Sequence, residues 1–399
     1  MPAVPEAAML PAERAASLVA RHGSPLYVYD APAVRAAYRA LVAAFAYSPL
    51  DAHYAIVCNK NRYLVRALAE LGAGVHASTP GDAHAALAAG IPADRIVYSG
   101  SNLDARDLDY VVGRGLRLNL DSVDQVGDVT GRGGLREVGL RLLVDDDERL
   151  DRIGVTRAEL PEAVRRAREG GVRITGLHMY AGTNTRRVDR FLECFDRLLA
   201  ASDALDALEF LDLGGGYGVS YRDGEAPLDV ATLGREVAAR MRALSAARGR
   251  AVRLLLEPGR ILVAAAGTLL MRVVSVKHRG GRRYVGTDAT VGNVAVESVY
   301  HPFHRVDALA ARSPALDVPT QVCGNTTHSR DYLARECRLP ALEKGDLLAL
   351  RDVGAYGYAV SSHFLNRPRP AEVVLDGEAE HLTTRRETLD DLLDTQVGA

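Results

Sequence analysis

Between about residues 30 and 265 the chain repeats one pattern: a short apolar run, then an Ala/Leu/Arg-rich stretch. The apolar runs are "AHYAIV", "GVHAS", "RIVYSG", "LRLNLDS", "EVGLRLLV", "RITGLHMY", "FLDLGGG" and "VRLLLEPG". Stretches between them, such as "RYLVRALAELG" and "GDAHAALAAG", space their apolar residues as a helix does. Repeated strand–helix units imply a parallel sheet with right-handed crossovers. Eight of them in succession predict a (β/α)8 barrel.

After about residue 265 the pattern changes. "GTLLMRVVSVKHRGGRRYVGTDAT" reads as two strands joined by a Gly/Arg turn, and "LLALRDVGAYGYAV" and "AEVVLDGEAEHL" read as further strands with little helix between them. The fold class is therefore α/β plus all-β, a barrel over residues 30–265 followed by an antiparallel β domain. Residues 1–29, with "PLYVYD", add a helix and a strand to that β domain.

Bulk properties exclude several function classes. The formal net charge of −2 provides no basic field for nucleic acid or an anionic membrane. No apolar run approaches the ~18–20 residues of a membrane span. The N-terminal stretch lacks a basic region followed by an apolar core, so no signal peptide is expected. Cys58, Cys194, Cys323 and Cys337 are scattered without a CxxC spacing, which argues against a disulfide framework or a cysteine zinc site and suits the cytoplasm. Lysine is scarce: of 49 basic residues only Lys60, Lys277 and Lys344 are lysines. Any lysine-dependent chemistry has three candidates.

Two loops are placed to bind an anion. "LDLGGGYGVSY" (211–221) puts four glycines after a strand, where backbone N–H groups can approach an anion. "LEPGR" (256–260) follows the next strand with an arginine suited to a phosphate and a carboxylate beside it. Both sit at C-terminal strand ends, where barrel active sites lie.

Together with "YAIVCN", "LGAG", "RIVYSG", "GLHMYAGT" and "DVGAYGYAVSSHFLNRPRPAEVVLDG", these loops occur in one order over residues 25–376. In this the chain resembles the fold-III pyridoxal-phosphate decarboxylases, the ornithine/diaminopimelate decarboxylase family. The resemblance implies a barrel of alanine-racemase type, a pyridoxal phosphate cofactor, a small amino-acid substrate and a homodimer with shared active sites. It implies that Gly214, Gly215, Gly216 and Gly218 cradle the phosphate with Arg260, that Glu257 faces the pyridine nitrogen, and that Arg141 and Tyr356 lie near the cofactor. Asp331 matches an acidic residue contributed across the dimer interface.

The departures fall on chemical positions. The family's Schiff-base lysine aligns with Val57 of "YAIVCNKN", three places before Lys60. An acid of the next strand aligns with His76, and the histidine that stacks on the cofactor aligns with Tyr180, two residues after His178. In "GNTTHSRD" a proton-donating cysteine aligns with Thr327 and the following acid with His328. A substrate-binding arginine aligns with Val296, whereas Tyr300 is retained. Tyr180 can still stack. Thr327 is a poorer proton donor than a thiol, and Val57 cannot form an imine. Loss of the arginine and the acid disfavours diaminopimelate as substrate.

Three readings are open. In the first, Lys60 takes over the imine, although an odd shift along a strand reverses the face and leaves a loop lysine in water as the simpler state. In the second, the pocket works without a lysine, holding pyridoxal phosphate noncovalently or using a metal or another ligand. In the third, the chain is a noncatalytic binding or regulatory homologue.

Overall fold

The computed structural model describes residues 10–132, 134–144, 151–294, 303–309 and 313–398. Val296 and Tyr300 lie outside the described residues. The chain divides into two compact units, one containing Arg35–Val219 and Ala226–Ile261. The other contains the described residues up to Val34, Ser220–Glu225, and those from Leu262 onward.

Helix α1 (Ala12–His22), strand β1 (Leu26–Asp30) and helix α2 (Ala31–Ala44) open the chain. The barrel strands are β2 (Leu50–Ala55), β3 (Gly74–Ala77), β4 (Ile96–Ser99), β5 (Arg117–Leu120), β6 (Glu137–Arg141), β7 (Arg173–His178), β8 (Phe210–Asp212) and β9 (Arg253–Leu256). Each pairs in parallel with the next, and β9 returns to β2 through Leu50–Leu254, closing the barrel. All eight apolar runs read from the sequence are these strands.

Helices α3 (Arg62–Ala69), α4 (Pro80–Ala88), α5 (Ala105–Gly113), α6 (Val123–Thr130), α7 (Leu160–Glu169), α8 (Val188–Ala201) and α9 (Val230–Ala247) alternate with the strands. Local chemistry starts five of them. Asn61, Thr79, Asp104, Ser122 and Asp229 each accept a backbone N–H of the first turn with the side chain, which offsets the unpaired donors there. The caps fix where each strand-to-helix loop ends, and so where the strand-end side chains stand.

The second unit is a sheet of β10 (Gly267–Arg279), β11 (Arg282–Thr287), β12 (Val306–Ala308), β13 (Thr320–Cys323), β14 (Tyr332–Cys337), β15 (Leu347–Leu350), β16 (Ala371–Asp376) and β17 (Ala379–Thr384), with β1 between β10 and β16. Gly280 and Gly281, both at positive φ, make the expected turn of the β10–β11 hairpin. The pairing is antiparallel except that β1 runs parallel to β16 and β11 parallel to β13. "LLALRDVGAYGYAV" is a strand only over Leu347–Leu350. Beyond it Asp352 and Tyr356 take positive φ. A Cβ on Gly354 would lie 1.8 Å from the Val263 carbonyl oxygen, so the chain coils against its neighbours instead of extending.

Candidate active site

Every strand of the barrel delivers its chemistry at its C-terminal end. Strand β2 ends at Ala55 and passes into a single 3-10 turn, Ile56–Cys58. Val57, on that turn, is 43% exposed. It is an apolar side chain presented at a barrel rim otherwise rich in polar groups. Two asparagines set the course of the next residues. Asn59 and Asn61 are both buried, Tyr54 Oη donates to the Asn59 carbonyl at 2.8 Å, and Asn61 N donates to Asn59 Oδ1 at 2.9 Å. Lys60 between them is exposed, and its charge acts on the Asp82 carboxyl at the start of α4. The loop therefore leaves Lys60 exposed.

The ends of β7, β8 and β9 converge. His178 Nε2 lies 3.0 Å from Glu257 Oε2, and His76 Nε2, from β3, lies 3.5 Å from Glu257 Oε1. Asp212 Oδ1 accepts from Gly214 N at 2.8 Å. His178, Asp212 and Glu257 are buried and offer ligand atoms within 4.8 Å of one another. Burial sets their ionisation. It lowers His178 to about 4, against the attraction of Asp212. It also lowers His76, against the pull of Glu257. Burial and the neighbouring Glu257 raise Asp212 well above the usual carboxylate range. Both imidazoles are thus neutral at pH 7. Glu257 is the hub of this group: His178 and His76 meet its two oxygens, and the raised Asp212 carboxyl shares a side-chain hydrogen bond with it. His178 Nδ1 has no hydrogen-bond partner, a state that is rare for a buried polar atom.

Above this floor stands Tyr180, 36% exposed, with the Arg141 guanidinium 5.5 Å from its ring centre. Its hydroxyl lies 2.9 Å from Thr183 Oγ1. Burial raises the phenol while the charges of Arg141 and Arg260 act against that rise, so Arg260 belongs to the same cluster.

The glycine loop has a second reason to exist. A Cβ on Gly214 would lie 2.1 Å from the Met179 carbonyl oxygen, on Gly215 2.6 Å from that of Glu257, on Gly216 2.0 Å from that of Gly182, and on Gly218 2.6 Å from that of Thr185. Gly214 and Gly216 also need positive φ. Packing alone demands these glycines, so their presence is not by itself a phosphate signature. Arg260, whose charge acts on Tyr180, and the buried Glu257 carboxylate are the stronger signals.

In the second unit Asp331 is buried, and its carboxylate is occupied. It accepts from Val291 N (2.8 Å), Thr326 N (3.0 Å), Thr326 Oγ1 (2.5 Å) and Thr290 Oγ1 (3.3 Å). Within this chain its oxygens tie two loops together. Thr327 is exposed, and His328 is half-buried with its ring edge-on to Phe364 at 5.4 Å. Tyr356 is half-buried and held at φ 58, a conformation uncommon for a tyrosine.

Sequence reasoning names Glu257, Arg260, His76, Tyr180 and Arg141, which share the barrel mouth. It misses Asp212, although an acid two residues before the first loop glycine is visible in "LDLGGG". It reaches His178 by its place beside Tyr180 and as one of four residues, with His76, His328 and Asp331, that could converge on a metal at the barrel mouth.

The fold is a closed parallel barrel with a buried His–Asp–Glu floor and a separate β-sheet unit. Residues 32–264 match the family described as "Pyridoxal-dependent decarboxylase, pyridoxal binding domain". The chain belongs to this family of carboxy-lyases, whose cofactor is pyridoxal phosphate and whose substrates are amino acids. It is 32% identical to a diaminopimelate decarboxylase of Methanothermobacter thermautotrophicus, covering 95% of this chain and 93% of that protein. It is 33% identical to the Pseudomonas fluorescens diaminopimelate decarboxylase, covering 94% and 93%. Among solved structures, a diaminopimelate decarboxylase superposes with TM-score 0.88 at 28% identity over 96% of each chain. The Helicobacter pylori diaminopimelate decarboxylase, complexed with L-lysine, gives 0.86 at 26% identity over 95% of this chain and 98% of that one.

The residues present fit the cofactor at its ring and phosphate ends. Glu257 is a buried carboxylate at the barrel floor, Tyr180 is a ring available for stacking, and the charge of Arg260 acts on Tyr180. At the covalent end, Val57 does not fit.

Proposed function

We propose that the chain is an amino-acid decarboxylase that holds pyridoxal phosphate without a covalent link to the protein. The observation that carries this reading is Val57, exposed at the turn after β2, with Lys60 directed to the surface beside Asp82. When bound, pyridoxal phosphate supplies an electron sink for the pair released by a departing carboxylate. Glu257 would accept a hydrogen bond from the protonated ring nitrogen, with His178 fixing the carboxylate through Oε2. Arg260 and the backbone of the Gly214–Gly218 loop bind the phosphate, with Tyr356 assigned to the same end. Tyr180 covers the ring, and Arg141 steadies Tyr180. Thr327 and His328 act from the second unit of a homodimer with shared sites, where His328 replaces an acid and favours a substrate other than diaminopimelate.

The test is spectroscopic. The protein is mixed with pyridoxal phosphate, its visible spectrum recorded, and the mixture treated with borohydride and mapped by peptide. The expected result is a coloured protein that dialysis bleaches and whose lysines carry no reduced adduct. An adduct on Lys60 overturns the noncovalent reading, and a protein that never takes up colour overturns the cofactor reading.

One observation favours a second reading. His178, Asp212 and Glu257 could ligate a divalent cation in the lysine-independent, metal-assisted version of the same pocket. Metal analysis of the same preparation, with pyridoxal phosphate competing, separates the two.

A further inference from the structure

The hairpin of β10 and β11 carries a stretch that the barrel chemistry leaves unexplained, "VKHRGGRRYV" (276–285). Arg283, Val285 and Thr287 of β11 are buried, so alternation turns Arg282 and Tyr284 to the opposite face. Lys277 lies directly across from Tyr284, and Arg279 directly across from Arg282. Cross-strand partners share a face, so this outer face gathers three cations and a ring. Lys277, Arg279 and Arg282 are exposed. Arg335 of β14 joins them. Burial and the charge of Asp331 raise the Cys323 thiol of β13, while the charges of Arg335 and Lys277 act against that rise, which gathers both cations about one point of the sheet. The Arg335 guanidinium lies 3.8 Å from the centre of the Tyr332 ring. Among the described residues, the acid paired on this face is Glu336, which accepts from Gln321 Nε2 and lies 3.5 Å from Arg282. Lys277 and Arg279 have no ion-pair partner among the described residues.

Like charges directly across two strands destabilise a sheet. The chain has 51 acidic residues against 49 basic ones, and still sets Arg279 opposite Arg282. A face that only had to stay soluble could intersperse the signs. Arginine and tyrosine are also the side chains that protein–protein interfaces enrich. A net charge of −2 and a patch one hairpin wide do not make the extended basic field that a nucleic acid needs. We propose that this face docks an acidic segment of a partner protein. The segment's carboxylates meet Lys277, Arg279 and Arg282, and its apolar side chains lie on Tyr284 and Tyr332. The surface belongs to the second unit and is independent of how the barrel holds its cofactor.

The probe is a labelled peptide of alternating glutamate and leucine, titrated against the full chain by fluorescence anisotropy at low salt. Binding is expected, and Arg279→Glu is expected to weaken it about tenfold or more, since a reversed charge now faces the peptide's carboxylates. Lys277→Glu, at the neighbouring exposed position of the same strand, is expected to act the same way and keeps the test open if Arg279→Glu does not fold. Arg106→Glu, an equal reversal on exposed α5 of the other unit, is expected to leave the affinity within about twofold. A peptide that does not bind, or that binds the Arg279→Glu and Lys277→Glu variants as it binds the parent, overturns the docking surface. Tighter binding of a heparin fragment than of the peptide makes the face a general polyanion site and overturns the protein partner. Self-association of the parent that Arg279→Glu removes makes a second copy the occupant, and overturns the acidic partner as well.

Discussion

Glu257 and Asp331 are both buried carboxylates, and they are solved in opposite ways. Asp331 accepts from two backbone amides and two threonine hydroxyls, leaving neither oxygen idle. Glu257 meets only titratable side chains: His178 at 3.0 Å, His76 at 3.5 Å and the Asp212 carboxyl. A carboxylate held by amides and hydroxyls is a staple. One held by groups that can themselves gain or lose a proton can exchange partners when a ligand arrives.

The contrast is sharpest in stability. Asp331→Ala strands several buried donors and is expected to lower unfolding free energy by about 3 kcal/mol, read by urea denaturation. Glu257→Gln is expected to change it by no more than about 1 kcal/mol while weakening pyridoxal phosphate binding about tenfold. Equal destabilisation by both would end the distinction.

Acid gives an effect of similar size confined to the barrel. His178 titrates near 4 in the folded chain against about 6.5 when unfolded. Between those values the unfolded chain binds a proton that the folded chain refuses, so stability falls as pH drops from about 6.5 toward 4. A loss of the order of 3 kcal/mol is expected from this residue, with His53, lowered to about 3 by burial, acting in the same direction. Asp212 acts oppositely: raised in the folded chain, it reduces stability as pH rises past the usual carboxylate range. Denaturation curves of His178→Gln should show a shallower acid limb than the parent.

The smallest effect is expected at Lys60. Lys60→Ala should change stability by less than about 0.5 kcal/mol, as exposed substitutions usually do. It should leave cofactor affinity within about twofold. A large loss of cofactor binding would return the lysine to the site and remove the contrast between Val57 and its aligned counterpart.

The barrel was legible because strand–helix alternation is a local pattern, written in each run such as "RIVYSG" or "VRLLLEPG". Glu257 and Arg260 were legible because "LEPGR" carries them together. The His178–Glu257 contact was not, since it joins residues 79 apart. Parallel strands bring side chains together across the sheet without leaving a spacing in the sequence. The hydrogen bonds of Asp331 were hidden for the same reason: its donors Thr290 and Val291 lie on a loop some 40 positions earlier. The strand expected through "RDVGAYGYAV" failed because Gly354 and Gly357 press against backbone, a contact that hydrophobic patterning does not encode.

In the noncovalent reading proposed above, a valine at position 57 leaves retention of the cofactor to the ring and phosphate contacts alone, so the loaded fraction follows the free cofactor concentration relative to its dissociation constant.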